Sequence, residues 1–255
     1  MNCDGVGIKD WAKYRTFNTE PFCQRPSSTT LQLSRGEVDL WRAQLCLPAW
    51  RLRELSVLLS EEEIQKADRF VFAEHRWRYI ASRGLLRTVL SYYLGTEPSR
   101  LAFSFGAHGK PRLAFNEIAY KLCFNVSHSH EMALFAVSCD CAVGVDVEYL
   151  QPSLDVEQLV ESAFFPEEVA QIKSLPPDQK HSAFFGAWTL KEAYLKATGE
   201  GLSALDKVKV SIPPGDAATL LTIEGDLDKV NRWTSYQLVP ADGYIATLVV
   251  EEKGW

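Results

Sequence analysis

Asp146 and Glu148 stand two residues apart in "VGVDVEYL". In a strand that spacing puts both carboxylates on one face and turns Val145 and Val147 to the other. Two carboxylates on one face repel unless something positive lies between them. Such oxygen ligands suit Mg²⁺, which is commonly held by one or two carboxylates together with substrate phosphates. A strand with one solvated acidic face has the same letters. Further along, in "FFGAWTLKEAYLKATGEGL", Trp188, Glu192 and Lys196 fall at i, i+4 and i+8 on one helical stripe, with Lys191 off it. A plain surface Glu–Lys pair, worth about 0.3–0.5 kcal/mol, would explain the last two. Yet Trp, Leu, Tyr and Phe crowd the stripe, and a Glu in that company is either paired or put to use. It could complete a metal site as a third carboxylate or act as a base beside the metal. Lys196, one turn on, is placed to meet a phosphate.

Two further stretches lean toward an anionic ligand. "AHGKPRLAF" sets Gly109, Lys110 and Pro111 in a turn that can offer backbone N–H groups and one ammonium to a phosphate or a purine. "FNVSHSH" carries Ser127 and His128 at a strand exit, in a chain with five His. A hydroxyl and an imidazole can bind phosphate oxygens without a permanent charge, while Asn125 is better suited to satisfying backbone groups. Ser127, His128 and Asp146 do not make a hydrolytic triad, because adjacent residues of a strand point to opposite faces.

Local patterns predict the elements that must position these residues. "VDLWRAQL" from Val38 reads as a strand, and Ser60 with Glu63 forms a capping box that opens a helix. A long helix follows over about 74–94, where Ile80, Leu85, Val89 and Tyr92 keep helical period and Gly95 stops it. Segments 101–105, 121–127, 132–138 and 143–148 read as short strands, with "CDCA" as a hairpin between the last two. Residues 183–199 predict a second long helix ending at Gly199, then strands at 208–212, 219–223, 234–239 and 244–250. "PEEVAQIKSLPPDQKH" reads as an acidic helix followed by a Pro-rich break. Gly95 laid over Gly199 superposes the long helices and the strands after them. That order implies an internal duplication with a ligand cleft between the halves. Residues 1–34, rich in Ser, Thr and Pro toward their end, read as a weakly structured extension.

The composition narrows the function. The chain has 255 residues, 46% hydrophobic and 24% charged, with a net charge of −6. That balance suits a globular protein and disfavours non-specific nucleic-acid binding. No apolar run is long enough to span a bilayer, so no membrane partner is expected. The first residues lack the basic-then-apolar order of a secretory signal, which predicts a cytoplasmic location. The six scattered Cys match no zinc spacing and read as free thiols.

Read in order, "RFVFAEHRWRYIASRGLLR", "GKPRL", "FNVSHS", "VGVDVE" and "FFGAWTLKEAYLKATGEGL" resemble the 4′-phosphopantetheinyl transferases of the surfactin-synthetase-activating type. "VGVDVE" and the last stretch look like the family's blocks Gly-x-Asp-x-Glu and Trp-x-x-Lys-Glu-x-x-x-Lys, a specific pair when both occur. The resemblance implies an α+β fold of two similar halves related by a pseudo-two-fold axis, each a small, largely antiparallel sheet on a long helix. With the extension at 1–34, the halves would be 35–141 and 142–255.

It implies an enzyme that moves the phosphopantetheine arm of coenzyme A to a Ser of an acyl or peptidyl carrier protein. The reaction releases 3′,5′-ADP and depends on Mg²⁺; the enzyme would act as a monomer. Asp146, Glu148 and Glu192 match the metal ligands, and Glu192 also the general base. Lys196 and His128 match pyrophosphate contacts. Lys110, Pro111 and Ser127 match the coenzyme A segments, and Lys66 and Arg78 the 3′-phosphate cluster, in which one basic position is Glu63 here. A Mg²⁺-dependent phosphodiester or pyrophosphate hydrolase, or a non-catalytic carrier-binding module, would use the same letters. Residues 164–175 are the expected docking helix for the carrier.

Overall fold

The structure, a computed structural model, describes residues 12–16, 30–114 and 122–252. Two sheets, each with a long helix on one face, make up its frame. The first half runs β1 (Ala12–Thr16), β2 (Val38–Gln44), α1 (Ala49–Ser56), α2 (Glu61–Asp68), α3 (Ala73–Leu94), β3 (Phe103–Phe105), β4 (Pro111–Leu113), β5 (Leu122–Ser129) and β6 (Met132–Cys139). The second runs β7 (Val143–Tyr149), α4 (Val156–Ala163), α5 (Pro166–Ser174), α6 (Pro177–Thr198), β8 (Val208–Ser211), β9 (Thr219–Ile223), β10 (Trp233–Leu238) and β11 (Tyr244–Glu251). Strand order is β1-β2-β6-β5 in one sheet and β10-β11-β7 in the other, with β3-β4 and β8-β9 as small ribbons. All named pairings are antiparallel except β1 with β2.

The likeness of the halves lies in their helices. α3 and α6 are both 22 residues long and both end on a glycine in the left-handed conformation, Gly95 at φ 63° and Gly199 at φ 82°. A side chain there would be strained, so glycine is the natural stop. α3 packs Ile80, Leu86 and Leu90 with Trp41, Phe124 and Phe135 of the first sheet. α6 packs Leu190, Tyr194 and Leu195 with Ile245 and Val249 of the second. A third cluster joins Val38, Leu40 and Leu134 of the first sheet to Val143, Val145, Val147 and Leu248 of the second. The valines between the acidic residues of β7 therefore face this inter-sheet core.

Several expectations change. The "CDCA" hairpin does not form: β6 pairs with β2 and β5, while β7 pairs with β11 in the other sheet. The tight hairpin of this region is β5–β6, turning at His130, whose φ is 53°. The Pro-rich break is the first turn of α6, with Pro177 where a missing N–H costs nothing. Helices α1 and α4 are additions to the sequence reading. Within the expected extension, Ala12–Thr16 forms an edge strand parallel to β2; residues 1–11 and 17–29 lie outside the described residues. The Ser60–Glu63 capping box is present, Ser60 Oγ accepting from Glu63 N and Glu63 Oε2 from Ser60 N. Cys46, Cys123, Cys139 and Cys141 are free thiols; Cys3 and Cys23 lie outside the described residues.

Candidate active site

One glycine sets the distance between β7 and α6. A Cβ at Gly144 would lie 1.9 Å from the Ala193 carbonyl oxygen and 2.5 Å from the Ala197 nitrogen. The helix backbone thus rests directly on the strand. Gly144, Asp146 and Glu148 alternate on the face turned to α6, so the close approach brings Glu192 and Lys196 of the helix against Asp146.

The groups that meet there form a dense charge cluster. Lys196 Nζ lies 2.5 Å from Asp146 Oδ1 and 3.2 Å from Glu192 Oε2. It also donates to Ser127 Oγ at 3.1 Å. Burial opposes its charge, but the carboxylates of Asp146 and Glu192 outweigh that and hold its pKa above the usual lysine value. Burial, then the nearby Asp146 carboxylate, pushes Glu148 up to about 7. Burial and Asp146 raise Glu192 as well, against the pull of Lys196. Asp146 is 1% exposed, and its Oδ2 is buried without a hydrogen-bond partner. Asp146 and Glu192 therefore share one ammonium, Glu148 takes the Ser129 hydroxyl, and Asp146 Oδ2 is left over.

The seam between the sheets is built from side chains. Asn125 Oδ1 accepts from Val145 N at 2.9 Å, Ser127 Oγ from Val147 N at 3.3 Å, and Ser129 Oγ from Tyr149 N at 3.1 Å. The two serines also donate onward, Ser127 to Asp146 Oδ1 and Ser129 to Glu148 Oε2, both at 2.8 Å. Alternate residues of β5 thus stand in for a strand's main-chain acceptors and hold two carboxylates of β7. Removing one rung should be costly: Ser129→Ala is expected to lose about 1–3 kcal/mol by stranding the Tyr149 N–H, measured as a shift in urea unfolding.

Two cavities open on either side of the cluster. One, of about 310 Å³, is lined by His108, Lys110, Pro111, Asn125, Glu192 and Lys196, among others. The other, of about 360 Å³, is lined by Ser129, His130, Glu148, Tyr149, Phe184 and Trp188, among others. Glu192 and Glu148 thus look into different cavities, and buried Asp146 lies between them. Lys110 Nζ donates to Ala197 O at 2.7 Å near the end of α6, and burial lowers its pKa to about 8. His128 keeps an exposed edge. Crowding by protein, then the charges of Lys196 and Arg78, favours its neutral form. Arg78 pairs with Glu74 and acts on His128 across the gap. Lys66, exposed on α2, sits 5.6 Å over the Tyr79 ring, apart from both cavities. Glu63 takes Arg83 and Arg87 on its two oxygens, each at 2.7 Å, and serves as a buried anchor. Ser127 lines neither cavity; it works on Asp146, Val147 and Lys196.

A 4′-phosphopantetheinyl transferase superfamily model matches residues 142–249, and a model of the 4′-phosphopantetheinyl transferase N-terminal region matches residues 48–140. The 4′-phosphopantetheinyl transferase HetI of a Nostoc species is 41% identical over 230 residues, 90% of this chain and 94% of its own. This chain belongs to the 4′-phosphopantetheinyl transferase family. A putative 4′-phosphopantetheinyl transferase of a Synechocystis species is 36% identical over 57% of this chain and 59% of its own. The Sfp enzyme of Bacillus subtilis is 29% identical over 60% and 66%. A solved Helicobacter pylori holo-acyl-carrier-protein synthase, at 22% identity and a TM-score of 0.34, covers 43% of this chain and 99% of its own. That last likeness is too slight to build on.

As a phosphopantetheinyl transferase, the enzyme transfers the phosphopantetheine group from coenzyme A to a carrier protein. Sequence reasoning assigned no role to Gly144, Ser129 or Lys191. The first stood in the Gly-x-Asp-x-Glu block, but its reason, the close approach of α6, has a signal only in three dimensions. The second was visible as the alternation Asn-x-Ser-x-Ser, which predicts three polar side chains on one strand face.

Proposed function

We propose that transfer takes place at the Asp146–Glu192–Lys196 cluster with Mg²⁺, coenzyme A and the carrier serine meeting between the two cavities. The observation that carries this reading is the buried, unpartnered Asp146 Oδ2 beside two carboxylates whose protons are held unusually tightly. Among the described residues no three His, Cys, Asp or Glu side chains form a ready metal cage, and Lys196 is the cation at the centre. The donor set still fits a hard divalent ion: oxygens only, one of them open. Asp146, Glu148 and Glu192 would hold Mg²⁺, which when bound neutralises diphosphate charge.

The chain's own residues supply the rest. Glu192, with its raised pKa, accepts the proton of the carrier Ser hydroxyl. The Ser oxygen then bonds to the β-phosphorus, and the bond to the leaving 3′,5′-ADP breaks. Lys196 offsets charge on the diphosphate, and neutral His128 donates a hydrogen bond to it. Lys110 and Pro111 line the side that takes the nucleotide end, with Arg78 and Lys66 as more distant candidates for the 3′-phosphate. Ser127 acts by holding Asp146 and Lys196. The same reading divides the chain at 35–141 and 142–255 and makes it a cytoplasmic monomer. α5, the expected docking helix, has Glu168 and Ile172 buried, so only its outer side is free for a carrier.

The test is to incubate the protein with coenzyme A, Mg²⁺ and an apo carrier protein. A mass gain on the carrier is expected; release of 3′,5′-ADP with no carrier present would instead favour a hydrolase. Asp146→Ala should raise the Mg²⁺ concentration for half-maximal rate by about tenfold or more, and an unchanged titration would remove it from the site. A pH effect follows from Glu148. Its pKa rises from 4.5 to about 7 in the folded protein, so its share of stability is present at low pH. That share is lost as pH climbs through this window. Mg²⁺ binds the ionised form, so its stabilisation should grow from pH ~6 to pH ~8, read as the change in thermal midpoint against chelator.

A further inference from the structure

Among the described residues, the most completely buried charge pair outside the cluster is Lys191 with Glu168, both wholly shielded from solvent and 2.6 Å apart. Glu168 Oε2 also accepts from Phe165 N at 2.8 Å, at the start of α5, and Oε1 accepts from Val210 N at 2.6 Å, in β8. One carboxylate therefore joins α5, α6 and β8. The Lys191 ammonium also lies 4.7 Å from the Phe164 ring centre and 5.0 Å from that of Phe165.

Lys191 immediately precedes Glu192, about 100° around the helix. On the β7 side α6 is fixed by the backbone contact at Gly144. That contact sets a distance but does not stop the helix from turning about its axis or sliding along it. A charge pair at the α5 and β8 side does, because any turn or slide of α6 would leave two opposite charges buried apart. We propose that Lys191 is a positioning residue for the transfer reaction: its ion pair with Glu168 fixes the rotation and axial register of α6 that aim Glu192 and Lys196 at Asp146. Its role rests on the proposed use of Glu192, though not on the identity of the metal. A displacement of about 1 Å at a reacting group can cost about a hundredfold in rate, so such a constraint has room to matter.

The experiment compares wild type with Glu168→Gln, Lys191→Met, the double variant and Glu192→Gln. Steady-state transfer of phosphopantetheine from coenzyme A to an apo carrier protein is measured, with active sites counted by calorimetric titration of coenzyme A. Expected is a fall of about tenfold or more in kcat per coenzyme A site for each single variant. The double variant should be little worse than either single change, because the two residues act as a unit. KM for coenzyme A should change far less than kcat, since His108, Lys110 and Pro111 of its cavity lie outside α6. A purely structural pair would lower the thermal midpoint and the number of sites while leaving kcat per site unchanged, and that result would overturn the proposal. Should Lys191→Met fail to fold, Glu168→Gln, which keeps an acceptor oxygen, decides the matter on the same readout. An active Glu192→Gln would overturn the reading of Glu192 itself. A dead Glu192→Gln beside full kcat in the pair variants would overturn only the positioning role.

Discussion

Gly144→Ala is expected to lose at least about a hundredfold in transfer rate, because the added methyl group would push α6 from β7 and carry Glu192 and Lys196 away from Asp146. The obstruction is main chain, with Ala193 O at 1.9 Å and Ala197 N at 2.5 Å from the new Cβ. No side chain can swing aside, so strand and helix must separate. Overpacking of this kind costs about 1–3 kcal/mol or more. Thermal unfolding should register that cost, and transfer assayed well below the new midpoint should register the displacement. Gly84→Ala is the control. There the new Cβ meets Leu55 Cβ at 2.7 Å, between α3 and α1, so stability should fall with much less effect on rate per folded molecule. Near-normal transfer by Gly144→Ala would mean that the contact does not set the site.

Glu192→Gln should lower kcat by about 10²–10⁴-fold, the usual worth of a positioned base. The change is nearly isosteric and lies in a half-buried position, so the fold should persist. It leaves Lys196 with Asp146 as its remaining carboxylate partner at 2.5 Å, and coenzyme A should still bind. Circular dichroism, coenzyme A titration and single-turnover transfer would separate these effects. Wild-type rates would remove Glu192 from proton transfer.

Much of this architecture could be read from the letters. Periodicity and glycine stops located both ends of α3 and the C-terminal end of α6, because long helices and left-handed caps are local features, while α6 begins at Pro177, ahead of the expected 183. The alternation in β7 told which residues face a core. What escaped was long-range. "CDCA" has a hairpin's length, yet the strands it links belong to different sheets, since β7 finds its partner in β11 about a hundred residues later. β1 was passed over because a short edge strand far from its neighbour leaves little local pattern. The carboxylates were visible as candidates, but their electrostatics were not. That Glu148 is raised to about 7 depends on burial and on a neighbour's charge, neither of which is written in a spacing. Ser127 shows the same limit. Its hydroxyl was expected at a phosphate; that it also ties Asp146 and the Val147 N–H together is set by the tertiary fold alone.

The ladder of Asn125, Ser127 and Ser129 has a consequence for how the two halves can drift apart or fuse over evolution. Ordinary sheet pairing uses peptide groups that every residue carries, so point mutations rarely erase it. Here each rung belongs to a replaceable amino acid, so three codons govern the polar part of a joint whose apolar part is the inter-sheet cluster. Loosening or tightening the union of the halves is thus available to single-nucleotide change, one tooth at a time.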